Sequence, residues 1–213
     1  MEFLDPILDD YVVRHSADEP DLLKNLNRET HLKVLIPRMI AGHYQGRVLS
    51  MLSFMIRPRV VLEIGTYTGY SAMCFAEGMP EDGVVHTIDH NEELQDIQDR
   101  YFEQCENRDK IKRYIGTAAK IIDDIEGNFD LVYIDADKEN YAHYFDQVID
   151  RMNPGGYIIA DNVLWSGKVL EEAAAGDQET QALQAYNMKI KKDPRVDNVL
   201  LPIRDGLMVA RVK

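Results

Sequence analysis

Short apolar runs alternate along most of this chain with longer segments that have the periodicity of amphipathic helices. Val60–Ile64 is one such run, and it is too short and too rich in β-branched residues for a helix. It suits a strand that is buried on both faces of a parallel sheet. Similar runs lie at 84–88, Ile111–Ile115, Phe129–Ile134 and 157–160, with helical segments at Tyr70–Gly78, 92–107 and 141–152. This alternation predicts an α/β protein.

The two ends of the chain differ from this middle part. Three helices are predicted before the first strand, at 5–15, 18–35 and 45–57, and the third carries one apolar face. That face consists of Val48, Leu49, Leu52, Met55 and Ile56. At the other end, helix Gln178–Lys192 precedes strands Val196–Leu201 and Leu207–Val212, and Asp205-Gly206 is a hairpin signal between them. The last two strands are therefore predicted to pair antiparallel.

Length and composition fit one cytoplasmic domain. A chain of 213 residues can bury one full core, so we expect a single domain, 1–213, with residues 1–58 as a helical preface. That preface either packs on the sheet or supplies a lid or dimer contact. The net charge of −13 opposes polyanions on average, and the two cysteines have no zinc-site spacing. The sequence has neither a secretory leader pattern nor a membrane-length apolar run, so a cytoplasmic location and no membrane partner are expected.

A turn with the spacing Glu-x-Gly-x-x-x-Gly-x-Ser follows the first strand, from Glu63 to Ser71. It differs from the dinucleotide and P-loop fingerprints, since no lysine follows and the acid lies inside the strand. A carboxylate suits a cationic ligand, whereas Ser71 and the helix N-terminus suit a carboxylate. S-adenosylmethionine has both groups. The alternative is an ordinary tight strand-to-helix turn.

Two further strand ends suit the rest of that molecule. Asp89 ends the second run, where a carboxylate in an α/β nucleotide site accepts hydrogen bonds from ribose hydroxyls. Gly116, Thr117 and Ala118 follow the third run and leave room for a flat ring such as adenine. Taken singly, each has a common alternative as a surface loop residue.

Hard oxygen ligands end the next two strands. Asp135 follows one of them, and Asp161 and Asn162 follow the other, so parallel strands bring the three side chains to the same carboxyl edge. Two carboxylates and one amide oxygen, without histidine or cysteine, predict a site for Mg²⁺, with Mn²⁺ or Ca²⁺ as alternatives. Each acid alone fits a solvated strand end. Trp165 lies just beyond, where it either walls a flat substrate or belongs to the core.

With these motifs, the chain resembles the cation-dependent class I O-methyltransferases, which include catechol and caffeoyl-coenzyme A O-methyltransferases and bacterial relatives. The resemblance runs from about Met39 to the C-terminus and is strongest at 62–71, 135–138, 155–162 and 205–206. It implies a doubly wound, seven-stranded, Rossmann-like sheet, mostly parallel with an antiparallel last strand. It also implies a homodimer.

The resemblance also assigns roles to residues. The methionine part of S-adenosylmethionine would contact Met39, Gly65, Tyr67 and Ser71, with Glu63 nearby. Asp89 would bind the ribose, and Ala118 would border the adenine. Asp135, Asp161 and Asn162 would bind the metal, Asp135 also bordering the cofactor, and Lys138 would be the general base. Thr117 and Arg204 depart from the acid and the glycine found in many relatives.

The chemistry agrees with these roles. A hydroxyl oxygen must lose its proton to attack a sulfonium methyl group, and a divalent cation both favours that loss and orients the oxygen. Lys138 can accept the proton in its neutral form, which burial and a nearby cation favour; an exposed lysine in an ion pair is its alternative. Vicinal hydroxyls would chelate the cation.

Three functions follow from the sequence. The first is metal-dependent methylation of a small hydroxylated aromatic. The second is methylation of 5-hydroxyuridine in transfer RNA, for which Arg57, Arg59, Lys189, Lys191, Lys192, Arg195 and Arg204 are the basic residues at hand. The third is a cofactor-binding regulatory protein without catalysis, which the full set of metal ligands and Lys138 disfavours.

Overall fold

The computed structural model of the chain describes residues 5–213, so residues 1–4 of the predicted preface lie outside the described part. Within that part, the apolar runs form the strands of one sheet. The strands are β1 (Val60–Ile64), β2 (Val84–Asp89), β3 (Ile111–Ile115), β4 (Phe129–Ile134), β5 (Met152–Asp161), β6 (Val196–Leu201) and β7 (Leu207–Val212). The α-helices are α1 (Pro6–Arg14), α2 (Asp21–Lys33), α3 (Gly42–Ile56), α4 (Tyr70–Gly78), α5 (Gln95–Phe102), α6 (Ala118–Asp124), α7 (Tyr141–Ile149) and α8 (Gln178–Lys192).

The sheet has seven strands in the order β3-β2-β1-β4-β5-β7-β6. Strands β1 to β5 run parallel, and β7 runs antiparallel to both of its neighbours, β5 and β6. Strand order reverses at β1, which has β2 on one side and β4 on the other. Open α/β sheets bind ligands at the carboxyl ends of the strands at such a point. The predicted doubly wound, seven-stranded sheet is confirmed.

Helices cover both faces of the sheet, and successive residues of β1 show this. Val61 packs in the core formed with α2 to α5, whereas Leu62 and Ile64 pack in the core formed with α6 to α8. Side chains along a strand alternate between faces, so a strand buried on both sides is mostly apolar, and Glu63 is the exception in β1. Full burial of each such apolar side chain contributes about 1.5–3 kcal/mol.

Helix α3 packs on α4 through its small and polar side. Its buried residues are Gln45, Gly46, Leu49, Ser50 and Ser53. Of the apolar face that the sequence predicts, only Leu49 is fully buried, and Met55 is 73% exposed. The two helices lie too close for larger side chains, because a Cβ at Gly46 would come within 2.4 Å of the Tyr70 ring. Val48, Leu52 and Ile56 are partly buried and pack against the same core, so the predicted apolar face is confirmed except at Met55.

Three other boundaries differ from the sequence prediction. The helix predicted at 92–107 is shorter, because α5 ends at Phe102 and the polar residues after it turn back towards β3. The Asn-Pro-Gly-Gly segment at 153–156 lies inside β5, where the register with β4 shifts, and does not precede the strand. The β6–β7 connection spans 202–206, so it is longer than a two-residue hairpin turn, although the predicted antiparallel pairing is confirmed.

The preface contributes unequally to the core. Helix α1 buries none of its residues, whereas α2 buries Leu23, Leu26 and Thr30. The side chain of Asp5 caps α1 by accepting a hydrogen bond from the Ile7 amide at 2.8 Å.

None of the helices within residues 5–213 combines the length and the apolar character that crossing a membrane requires.

Candidate active site

A cleft of about 2160 Å³ lies at the carboxyl edge of the sheet, where the strand order reverses. The structure brings most of the predicted site residues to its wall: Met39, Gly65, Tyr67, Asp89, Ala118, Asp135, Lys138, Asp161 and Asn162. Glu63 and Ser71 do not line it and are buried behind the turn that follows β1. The predicted metal residues and the other predicted cofactor residues thus line one continuous cleft.

The turn after β1 is folded around Asp89. The backbone amide of Tyr67 donates to Asp89 Oδ2 at 2.7 Å, and the amide of Asn91 donates to Oδ1 at 2.9 Å. Tyr67 has φ 48° and Gly65 has φ 106°, so both lie in the left-handed region. The carboxylate of Asp89 is therefore held at the cleft wall in one orientation, and its remaining lone pairs can accept from a ligand.

Glu63 is a buried acid at the other side of this turn. Its side chain has no exposure, and Oε2 accepts a hydrogen bond from the Thr87 hydroxyl of β2. Oε1 has no partner among the described residues. Burial raises the pKa of Glu63 to about 8, and the negative charges of Asp135 and Asp89 act in the same direction. A cation placed nearby would reverse that shift.

Lys138 lies between the ends of β4 and β5. Only 7% of it is exposed, so the alternative of an exposed lysine does not hold, although it does form an ion pair. Its Nζ donates to Asp135 Oδ1 at 3.2 Å, to Asn162 Oδ1 at 2.9 Å and to the Tyr141 hydroxyl at 2.5 Å. The ammonium group of Lys138 is therefore held by one oxygen from the residue after β4 and one from the residue after β5.

These oxygens fit a hard cation. Asp135 Oδ1 and Asn162 Oδ1 both come within 3.2 Å of one positively charged atom, so they already converge on a cation. The described residues contain no group of three or more His, Cys, Asp or Glu side chains that could hold a metal. The donor set is instead two carboxylates and one amide, which suits Mg²⁺ because that ion retains several waters.

Asp161 is the most buried of the three predicted metal ligands, with 3% exposure. Its Oδ2 accepts hydrogen bonds from the Tyr133 hydroxyl at 2.9 Å and from Gln45 Nε2. Its Oδ1 accepts a hydrogen bond from the backbone amide of Asn162 at 2.7 Å. Burial raises the pKa of Asp161 to about 6, with Asp135 adding to the shift, while hydrogen bonds from Gln45 and Tyr133 and the charge of Lys138 oppose it.

Sequence reasoning missed Gln45 and Tyr133. Both are buried polar side chains that contact Asp161. Gln45 had a usable signal, since it lies one helical turn before Leu49 and interrupts the apolar side of α3 with an amide. Tyr133 had none, because an aromatic residue in a buried strand fits the core equally well.

Trp165 lies at the outer wall of the cleft. It begins a 3₁₀ turn, Trp165–Leu170, and its ring centroid is 5.8 Å from Lys138 Nζ. The side chain is half-buried, packs on the core and also lines the cleft. Met39, Pro202 and Ile203 add apolar surface to the same cleft.

Comparison with known proteins gives consistent matches. A family model described as O-methyltransferase matches residues 13–213. The caffeoyl-CoA O-methyltransferase of Petroselinum crispum is 33% identical over 204 residues, covering 91% of this chain and 84% of the relative. The caffeoyl-CoA O-methyltransferase 5 of Nicotiana tabacum is 32% identical over 207 residues, covering 91% and 85%.

Solved structures agree in fold. The O-methyltransferase from Bacillus cereus, in complex with SAH, has a TM-score of 0.89 at 28% identity and covers 97% of each chain. The SAH-bound methyltransferase from Podospora anserina has a TM-score of 0.88 at 26% identity, covering 97% of this chain and 94% of the other. The family match, at residues 13–213, spans every predicted site residue from Met39 to Asn162.

Proposed function

The chain belongs to the O-methyltransferase family, whose enzymes use S-adenosylmethionine, and from this premise we propose that it methylates a hydroxyl of a small catechol-like aromatic with the help of a divalent cation. Membership in the family makes the protein an S-adenosylmethionine-dependent O-methyltransferase, so the third function, a binder without catalysis, is set aside. The acceptor, the cation and the roles of individual residues are the proposal.

One observation supports this proposed function most directly. The turn that would hold the methyl donor and the strand end that would hold the cation are in main-chain contact, since a Cβ at Gly65 would lie 1.9 Å from the Asp135 carbonyl oxygen. A donor beside Gly65 and an acceptor beside Asp135 are therefore neighbours in the same cleft. Direct transfer between two bound molecules requires this proximity.

In this proposal, some residues of the cleft bind the donor and the cation, and Lys138 transfers the proton. Asp89 would hold the ribose, and Glu63 would balance the positive charge of the donor. A cation held by Asp135, Asp161 and Asn162 would supply charge stabilisation for the acceptor oxygen. Lys138 Nζ, in its neutral form, would take the proton of the acceptor hydroxyl. That oxygen would form a bond to the methyl carbon while the bond between this carbon and the sulfur breaks, which leaves S-adenosylhomocysteine. Trp165 would exclude water from one side.

The acceptor is proposed from the shape and chemistry of the outer cleft. Trp165, Met39 and Ile203 offer apolar walls for a flat ring, next to oxygens that converge on a cation. Two hydroxyls on adjacent carbons would chelate that cation and fix which oxygen faces the donor. The caffeoyl group in the names of the plant relatives is itself a vicinal aromatic diol.

Transfer RNA is a weaker candidate, because three of the seven basic residues that the sequence offers for it are paired with carboxylates. Arg59 pairs with Asp82, Lys189 with Asp146, and Arg195 with both Asp150 and Asp193. Arg204 directs Nη1 to the carbonyl oxygens of Ile40 and Ala41. The net charge of −13 also opposes the phosphates of RNA on average.

The deciding experiment supplies labelled S-adenosylmethionine and Mg²⁺ with either a panel of catechols and single-hydroxyl phenols or transfer RNA that lacks wobble methoxyuridine. We expect label in the catechols and little in the phenols, since only vicinal hydroxyls chelate. Labelling of the RNA that falls steeply with salt, beside negligible catechol turnover, would reverse the assignment of the acceptor.

Cofactor binding is expected to release on the order of one proton at pH 7. The pKa of Glu63, raised by burial to about 8, leaves its carboxyl mostly protonated at pH 7, whereas the cationic donor favours the ionised form. Affinity should therefore rise with pH until about pH 8 and then level off. Calorimetry in two buffers of different ionisation enthalpy measures the released proton. Glu63→Gln is the control, and equal heats for the wild type in both buffers would contradict the prediction.

A homodimer and a cytoplasmic location complete the proposal. The outward face of α3 exposes Met51, Phe54 and Met55, which gives a second copy an apolar surface to cover. Cys74 and Cys105 are free thiols, as a reducing compartment would leave them. Light scattering on the purified protein tests the dimer.

A further inference from the structure

Gln45 connects the helical preface to the proposed cation site. It lies in α3, is 1% exposed, and is far from Asp161 in the chain. Its Nε2 donates to Asp161 Oδ2 at 2.5 Å and to the Tyr133 hydroxyl at 3.1 Å. Tyr133 donates in turn to the same oxygen of Asp161 at 2.9 Å. The three groups form a closed triangle of hydrogen bonds behind the cleft wall.

Arg204 fixes which way the Gln45 amide points. Its Nη1 lies 3.1 Å from Gln45 Oε1, and a guanidinium group can only donate. The amide oxygen must therefore face Arg204, and the NH₂ group must face Asp161. A flipped amide would place two donors together at Arg204 and two acceptors together at Asp161.

Arg204 is itself held in place on its exposed loop. The same Nη1 donates to the carbonyl oxygen of Ile40 at 3.0 Å and to that of Ala41. Both residues lie just before α3. Arg204 has φ 49°, a left-handed conformation that is unfavourable for a residue other than glycine. Its hydrogen bonds to Ile40, Ala41 and Gln45 offset this, so the β6–β7 loop is fixed to the start of α3.

We propose that Gln45 and Arg204 are positioning residues for the divalent cation, which act by holding the carboxylate of Asp161 in one rotamer. The inference rests on the proposed cation site. Asp161 Oδ2 has two donors on its buried side, so the carboxylate cannot rotate away from the cleft without breaking both bonds. Outer groups that orient a metal ligand typically account for ~10–100-fold in metal affinity.

The role differs from that of a catalytic residue. Gln45 does not line the cleft, so it acts only through Asp161. Loss of its amide should weaken metal binding, leave cofactor affinity unchanged, and leave turnover largely intact once the metal is saturating. A merely structural role would lower thermal stability without separating these quantities.

The test measures Mn²⁺ binding by electron paramagnetic resonance on the purified protein without acceptor. Gln45→Met keeps the length of the side chain and removes its hydrogen bonds, and it should weaken Mn²⁺ binding by ~10–100-fold. Arg204→Gly removes the guanidinium while tolerating the left-handed backbone, and it should weaken binding by a smaller factor. Gln147→Met is the matched control, because Gln147 bonds Ala119 and Asp123 away from the cleft and should bind Mn²⁺ as the wild type does.

Failures of the two proposals are distinguishable. If the wild type binds Mn²⁺ and both Gln45→Met and Arg204→Gly bind it equally well, the positioning role is overturned while the proposed function stands. If the wild type binds no Mn²⁺ and transfers methyl groups in excess chelator, the cation site itself is overturned, and this inference with it. Should Gln45→Met fail to fold, unchanged Mn²⁺ affinity in Arg204→Gly overturns the role assigned to Arg204.

Discussion

Methyl transfer is expected to stop when a chelator removes divalent cations and to return when Mg²⁺ is added in excess. Without the cation, the acceptor oxygen proposed to lie near Asp135 and Asp161 would lose the charge stabilisation that a Lewis acid supplies. A Lewis acid contributes several kcal/mol here, and each 1.4 kcal/mol or so is a factor of ten, so the loss should be roughly 10³-fold or more. Full activity in excess chelator would contradict the assignment.

The same site can be removed by mutation. Asp161→Ala should abolish activity with cofactor binding largely kept, but it also leaves Gln45 and Tyr133 without their acceptor, at about 1–3 kcal/mol for each buried group. Asp161→Asn keeps an oxygen for those donors and removes the charge. We expect both variants to be inactive, and Asp161→Asn to be the more stable of the two in thermal denaturation.

Lys138→Met is expected to lower turnover by ~10²–10⁴-fold, the usual contribution of a positioned base, with little change in cofactor affinity. Methionine fills a similar volume but cannot accept the proton. The measurement is kcat at saturating acceptor and Mg²⁺, alongside the cofactor Kd. A turnover like that of the wild type would return Lys138 to a purely structural role, as the partner of Asp135, Asn162 and Tyr141.

Two controls separate charge from proton transfer. Lys138→Arg keeps a positive charge and several donors, but arginine does not lose its proton in proteins, so this variant should be as slow as Lys138→Met. Lys189→Met removes an exposed lysine whose partner is Asp146 on α7, and it should leave turnover unchanged. Activity in Lys138→Arg would indicate that the charge, and not the base, matters.

The sheet could be predicted from the sequence because buried parallel strands have little freedom in composition. Val60–Ile64, Ile111–Ile115 and Phe129–Ile134 have the same limits in the sequence prediction and in the structure. The acids that follow such strands could be assigned to one edge for the same reason, since parallel strands end on the same side. The clustering of Asp135, Asp161 and Asn162 therefore needed no distance information.

The support behind that cluster could not be predicted in the same way. The buried side of α3 depends on how closely α4 approaches, and this distance is set by Gly46 and Tyr70 together. Apolar periodicity describes the larger side chains only, so it gave no sign that Ser50 and Ser53 are also buried. Arg204 was recognised as a departure, but its contact with Gln45 joins parts of the chain that no local pattern connects.

The close approach of Gly65 to Asp135 has a consequence for how new acceptors could arise. Because this contact is made by main-chain atoms, a donor and an acceptor bound on its two sides would keep their spacing whatever side chains surround it. The turn Trp165–Leu170 and the loop at 202–206 line the outer cleft without taking part in that contact. Mutations in those two segments, apart from Arg204 with its role at the proposed cation site, could exchange one acceptor for another while Gly65 and Asp135 stay in contact. The architecture thus lets substrate choice evolve separately from the chemistry.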